Sequence, residues 1–166
     1  GEFLDRVYTN KFSSLKVGKC RYGLMLGEDG FVMDDGVTSR IAEDEFYMTT
    51  TSGNAAQVLD HLEEYIQTEW TDLKVYATSV TEQWATATIA GPKARDLLAE
   101  ICPDIDLSNE AFEFMSWREG TVAEAPARVF RISFTGDLSY EINVPADYGL
   151  HLWQTLMQVG RKYGIT

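Results

Sequence analysis

Apolar and polar side chains alternate most regularly between residues 128 and 145. Val129, Arg131 and Ser133 interleave with Phe130, Ile132 and Phe134. That pattern predicts a strand with one apolar and one polar face. Thr135-Gly136-Asp137 then supplies turn chemistry, with Gly136 free to take a positive φ. From 139 to 144 the alternation resumes, with Tyr140, Ile142 and Val144 on one face and Glu141 and Asn143 on the other. Glu141 therefore projects away from the apolar face.

The same periodicities divide the rest of the chain. Phe3, Leu4, Val7 and Tyr8 recur at helical spacing and predict the end of a helix. Residues 19–26 and 31–33 read as strands joined by the Asp-Gly type turn Glu28-Asp29-Gly30. Two further strands are predicted over 37–41 and 45–51. A helix over 55–70 carries Val58, Leu62 and Ile66 on one stripe. Strands follow at 73–79 and 84–90, then a helix opened by Gly91-Pro92 with Ala94, Leu97, Leu98 and Ile101 on its inner face. A short helix capped by Ser108, a strand over 116–122 and a turn at Glu124-Ala125-Pro126 lead into the alternating stretch. A last helix over 146–162 turns Leu152, Leu156 and Val159 inward and leaves His151 outside.

Hairpin turns argue against a parallel sheet, so the predicted class is α+β: antiparallel hairpins packed with about three main helices. A chain of 166 residues is expected to form one domain, 1–166, or part of a larger one. It reads as an excerpt truncated at both ends.

Charge narrows the partners. A net charge of −12 is unsuited to a phosphate backbone or an anionic membrane surface. It also sits awkwardly with a polyanionic ligand unless local Lys or Arg offset it. Cys20 and Cys102 lack metal-type spacing; they read as reduced thiols of a cytoplasmic protein, with a single disulfide as the other option. With only two histidines, His61 and His151, no metal site or Ser/His/Asp constellation emerges. There is no Gly-x-Gly-x-x-Gly step or Walker-type loop.

Four residues carry candidate chemistry. Glu141 is either a solvated glutamate or a carboxylate aimed into a pocket, where it could accept two parallel hydrogen bonds from a planar N–H pair. Asp34-Asp35-Gly36 is either another turn or a carboxylate held at the end of a strand. Adjacent strand residues face opposite ways, so only one of Asp34 and Asp35 can serve a given pocket. Tyr22 is either core or a pocket wall.

The run Thr135 to Pro145, T-G-D-L-S-Y-E-I-N-V-P, resembles the signature of the folate-binding family that contains the glycine-cleavage T-protein. The likeness extends from Phe3 to Thr166 and includes Gly30 to Asp35 and Ala90-Gly91-Pro92. Asp137-Leu138-Ser139 matches the sarcosine oxidase alpha-subunit branch better than the T-protein branch. The resemblance implies a tetrahydrofolate-binding, one-carbon-transfer domain that captures the one-carbon unit of oxidised sarcosine as 5,10-methylenetetrahydrofolate. It implies that Glu141 binds the pterin edge. It places Asp34 at the reacting nitrogens as the catalytic carboxylate, with Asp35 the weaker candidate of the pair for binding the cofactor, and Tyr22 at the border of the folate. A later arginine of the family's pocket falls beyond Thr166. Flavin and NAD sites are expected outside this sequence, and other sarcosine oxidase subunits are expected as partners. The remaining alternatives are an aminomethyltransferase or dimethylglycine dehydrogenase-like protein, and a non-catalytic subunit-docking domain using its aromatic residues as anchors.

Overall fold

Seven strands and four α-helices follow one another in a computed structural model that describes residues 1–166. The chain divides into two compact units, Gly1–Thr81 and Glu82–Thr166. The pattern of side chains marks no boundary at that point. Both sheets are wholly antiparallel, and the three longer helices carry the packing, so the α+β class holds.

In the first unit, helix α1 (Glu2–Val7) precedes strands β1 (Cys20–Leu26), β2 (Val32–Arg40) and β3 (Phe46–Met48), which form a sheet in the order β1-β2-β3. Helix α2 (Ala55–Thr68) follows. The predicted Asp-Gly turn closes the first hairpin. Gly30 takes φ +81, Gly27 N–H donates to Phe31 O at 2.8 Å, and Asp29 accepts from Phe31 N–H at 3.0 Å. Asp34-Asp35-Gly36, by contrast, is no turn. It lies inside β2 and pairs with Met25, Leu24 and Gly23 of β1. Gly36 is needed there for close approach, because a Cβ at that position would lie 1.9 Å from Thr49 O.

Residues 73–79, predicted as a strand, form no ladder. Their alternation is real, since Leu73 and Val75 pack on the core while Tyr76 is fully exposed. Period-two patterning reports which way side chains face; a strand also needs a neighbour to bond. The core collects Phe3, Leu4, Val7, Phe12, Met25, Val58 and Leu62, each contributing about 1.5–3 kcal/mol when buried.

The second unit holds β4 (Trp84–Ala90), α3 (Ala94–Ile101), β5 (Ser116–Val122), β6 (Ala125–Arg131), β7 (Ser139–Pro145) and α4 (Gly149–Gly160). Its sheet runs β4-β7-β6-β5. Tyr140, Ile142 and Val144 all face the core with Ile89, Val129, Leu98, Leu152 and Leu156. Two predictions shift. Strand β6 ends at Arg131, and Phe134 stands fully exposed in the loop. Val129 and Phe130 are both buried, so β6 is covered on both faces rather than one. The β5–β6 turn is centred on Ala123 and Glu124, at φ 50 and 64. Ile101 O accepts the Ala123 N–H at 2.8 Å, and His151 Nε2 donates to Ala123 O at 2.8 Å, which hold this left-handed pair in place. Cys20 and Cys102 are buried free thiols.

Candidate functional site

The first unit supplies three of the four candidates, and the strand alternation separates them. Tyr22 and Asp35 fall on one face of the β1–β2 ladder as diagonal neighbours, Asp35 lying two residues from Val37, the direct partner of Tyr22. Tyr22 is about half exposed, and its hydroxyl donates to Asp35 Oδ2 at 2.7 Å. Donation to that carboxylate is the main cause that raises the Tyr22 phenol above its ordinary value. Leu24 and Val37, both partly exposed, flank the pair.

Asp34 points the other way. It is 4% exposed and pairs with Met25, which belongs to the core. Its Oδ2 accepts from Thr51 N–H and its Oδ1 from Asn54 Nδ2, both at 3.3 Å. Asn54 Nδ2 also donates to Met33 O at 3.1 Å. The segment 49–51 can reach Asp34 because it runs directly against Gly36. Two buried hydroxyls, Tyr8 OH and Thr38 Oγ1, lie close to one another on this side, and neither makes a hydrogen bond of good geometry. Burial is the main reason the Tyr8 phenol is raised; Thr38 works against that, while Asp34 and Asp35 add to it. Sequence reasoning missed Tyr8 and Thr38. Thr38 was within reach, because it is four residues from Asp34 on the same strand and so shares its face.

Glu141 stands in the second unit, on the face of the sheet opposite the core. Its register partners are Thr88 of β4 and Phe130 of β6. Its side chain is half-buried, and Oε1 accepts from Asn143 Nδ2 at 3.1 Å. Asn143 is 1% exposed, and its Oδ1 accepts from Thr86 Oγ1 at 2.6 Å. Arg128 lies on the same face, bonded to Glu119 at 3.1 Å and with its guanidinium 4.9 Å from the Trp84 ring centroid. Neither Asn143 nor Thr86 was singled out from the sequence. The two-residue step from Glu141 to Asn143 was the available signal.

Chemically, then, the first unit offers a buried aspartate and an exposed Tyr–Asp pair on opposite faces of β2. The second offers a carboxylate held at one oxygen. The half-buried Glu141, set among the buried Asn143, Phe130 and Trp117 and with a second oxygen that accepts no hydrogen bond, fits a flat ligand that presents N–H donors.

Both sheets, their order and these strand positions define a known class. The GCVT N-terminal domain family matches residues 1–166, and the chain belongs to that family. Within it, the chain is 52% identical over 166 residues to the sarcosine oxidase subunit alpha of Corynebacterium sp. (strain P-1), covering 99% of this chain and 17% of that subunit. The chain therefore spans about a sixth of that relative's length. Among solved structures, the glycine cleavage system aminomethyltransferase T of Bartonella henselae superposes with a TM-score of 0.77 at 25% identity, over 94% of this chain and 40% of that one. A heterotetrameric sarcosine oxidase from Corynebacterium sp. U-96, in complex with pyrrole 2-carboxylate, gives a TM-score of 0.66 at 19% identity, over 91% of this chain and 68% of that one, a likeness of fold.

Proposed function

We propose that this chain is the tetrahydrofolate-binding, one-carbon-transfer part of a sarcosine oxidase alpha subunit, working beside the other subunits of that enzyme. The observation that carries the reading is Glu141. The glutamate of the Tyr-Glu-Ile step stands on the outer face of its sheet, fixed at Oε1 by Asn143 and open at Oε2. Identity of 52% to a sarcosine oxidase subunit alpha, against 31% to an aminomethyltransferase over the same span of this chain, supports the choice of that enzyme.

A bound reduced folate would supply the nucleophilic nitrogens that take up the one-carbon unit as 5,10-methylenetetrahydrofolate. The protein's share is then mostly positioning. Glu141 accepts the N–H donors of the pterin edge and sets the ring's orientation. Asp34 is assigned the catalytic carboxylate, balancing positive charge or accepting a proton, with the Tyr8 and Thr38 hydroxyls beside it. Tyr22 and Asp35, which face the other side of β2 from Asp34, are the alternative contact of the first unit with the folate.

Loss of a charged hydrogen bond costs on the order of 1.5–3 kcal/mol. Glu141→Ala in the full-length protein should therefore weaken tetrahydrofolate binding by about one to two decades in titration calorimetry. Unchanged affinity would remove Glu141 from the site and the reading with it.

A further inference from the structure

The outer face of the second sheet contains a polar arrangement that ligand binding by Glu141 alone does not explain. Asn143 is 1% exposed on a strand, where a β-branched or aromatic side chain is the ordinary occupant. A buried amide is costly unless its groups are bonded. Here both ends are used, and in a fixed sense. A carboxylate only accepts, so Asn143 must turn its Nδ2 toward Glu141 Oε1, at 3.1 Å. Its Oδ1 is then left to accept, and the Thr86 hydroxyl donates to it at 2.6 Å. Thr86 is exposed and could bond water instead. The three groups thus form a directed chain from hydroxyl to amide to carboxylate, running across β4 and β7. Each bond polarises the next toward Glu141.

We propose that Asn143 and Thr86 are positioning residues for Glu141. They hold its carboxylate in a single orientation, with Oε2 presented to a planar pair of N–H donors. The proposal rests on the reading of Glu141 as a ligand-binding carboxylate and adds the machinery that orients it. A glutamate side chain otherwise has considerable rotamer freedom to lose on binding. The chain of bonds fixes it beforehand, so the ligand meets a preorganised acceptor.

The test is titration calorimetry of the full-length protein with tetrahydrofolate in anaerobic buffer, comparing Thr86→Val, Thr86→Ser, Asn143→Ala, Glu141→Ala and the Thr86→Val/Glu141→Ala double variant. Thr86→Val removes the hydroxyl at constant shape and at an exposed position, so it decides the matter if Asn143→Ala fails to fold. Thr86→Val is expected to weaken binding roughly three- to tenfold, the size of one ordinary hydrogen bond. Thr86→Ser restores wild-type affinity. In a Glu141→Ala background, Thr86→Val adds no further loss, because the group it orients has gone. The proposal is overturned if Thr86→Val binds as wild type while Glu141→Ala loses affinity, an outcome that leaves the Glu141 reading intact. It is equally overturned if the two losses simply add. Wild-type affinity in Glu141→Ala removes both.

Discussion

The two units each place an acidic side chain on a central strand, and they treat it oppositely. In the first, Asp34 faces the core, and both its oxygens accept from its own chain, from Thr51 and Asn54. In the second, Glu141 faces outward, and only one oxygen is tied. The first carboxylate is therefore part of what holds its unit together, whatever chemistry it also performs. The second is held at one oxygen, where it serves as acceptor for the buried Asn143 amide, and keeps the other for a ligand. Stability and binding should respond to mutation in opposite proportions at the two positions.

The largest effect is expected from the residue that makes the Asp34 arrangement possible. Gly36→Ala places a methyl 1.9 Å from Thr49 O, backbone that can only move by pulling the segment 49–51 off β2. A cost of about 3 kcal/mol is expected, at the upper end for overpacking. Hydrogen exchange should show it in the β1–β2 amides, with the second unit's amides little changed. Equal loss of protection in both units would mean that they do not respond separately.

Next comes the direct contrast. Asp34→Ala strands the Thr51 N–H and should lower the first unit's stability by about 2 kcal/mol. Glu141→Ala should cost less, about 1 kcal/mol, because the half-buried glutamate is held at one oxygen only and its loss frees one N–H of the buried Asn143 amide. Chemical denaturation of the two variants measures both. Equal destabilisation would erase the distinction between a carboxylate that holds its unit and one that is held.

Much of this was legible in the residues. The alternation of Tyr140, Ile142 and Val144 against Glu141 and Asn143 fixes which side of β7 is core, and the structure agrees. The opposite facings of Asp34 and Asp35 follow from strand geometry alone. What could not be read is which backbone comes close to which. Asp-Asp-Gly carries turn chemistry, and only the approach of Thr49 O explains why the glycine sits in a strand instead. Residues 73–79 alternate correctly, yet pairing depends on a partner that local pattern does not specify. Asn143 looked like an outward polar residue. Its burial depends on what surrounds it, and its role on Thr86, which is remote in sequence and adjacent only across the β4–β7 ladder.

A smaller, pH-dependent effect tests whether other carboxylates of the first unit also hold structure. Asp5 Oδ1 accepts from Ser13 N–H at 2.8 Å and from Phe12 N–H, tying α1 to the following loop. Burial alone would push this carboxyl up. The hydrogen bonds from Ser13 and Phe12, aided by Lys11, outweigh it and hold the group below its usual value. A depressed carboxyl stabilises the fold above its unfolded pKa, about 3.9. That contribution is lost as pH falls through the folded value. Asp5→Asn should therefore cost about 1 kcal/mol at neutral pH, after allowance for screening, and the difference from wild type should shrink in acid. A difference independent of pH would show that the charge of Asp5 contributes nothing.

The smallest stability effect, and the sharpest test of the first unit as a ligand surface, belongs to Tyr22. Its hydroxyl and Asp35 bond each other on the exposed face of β1 and β2, away from Asp34. Tyr22→Phe keeps the ring and removes only the donor. No change in denaturation midpoint is expected, since the hydroxyl is solvated and Asp35 can bond water instead. Ultraviolet titration of Asp35→Asn should bring the Tyr22 phenol back down, because donation to that carboxylate is the leading cause of its elevation. If the face borders the folate, Tyr22→Phe in the full-length protein should weaken tetrahydrofolate binding a few-fold, about the size of one neutral hydrogen bond. Unaltered affinity in both Tyr22→Phe and Asp35→Asn would take the exposed face of the first unit out of the site. The first unit's part in binding would then fall to its buried aspartate alone, on the opposite face of β2.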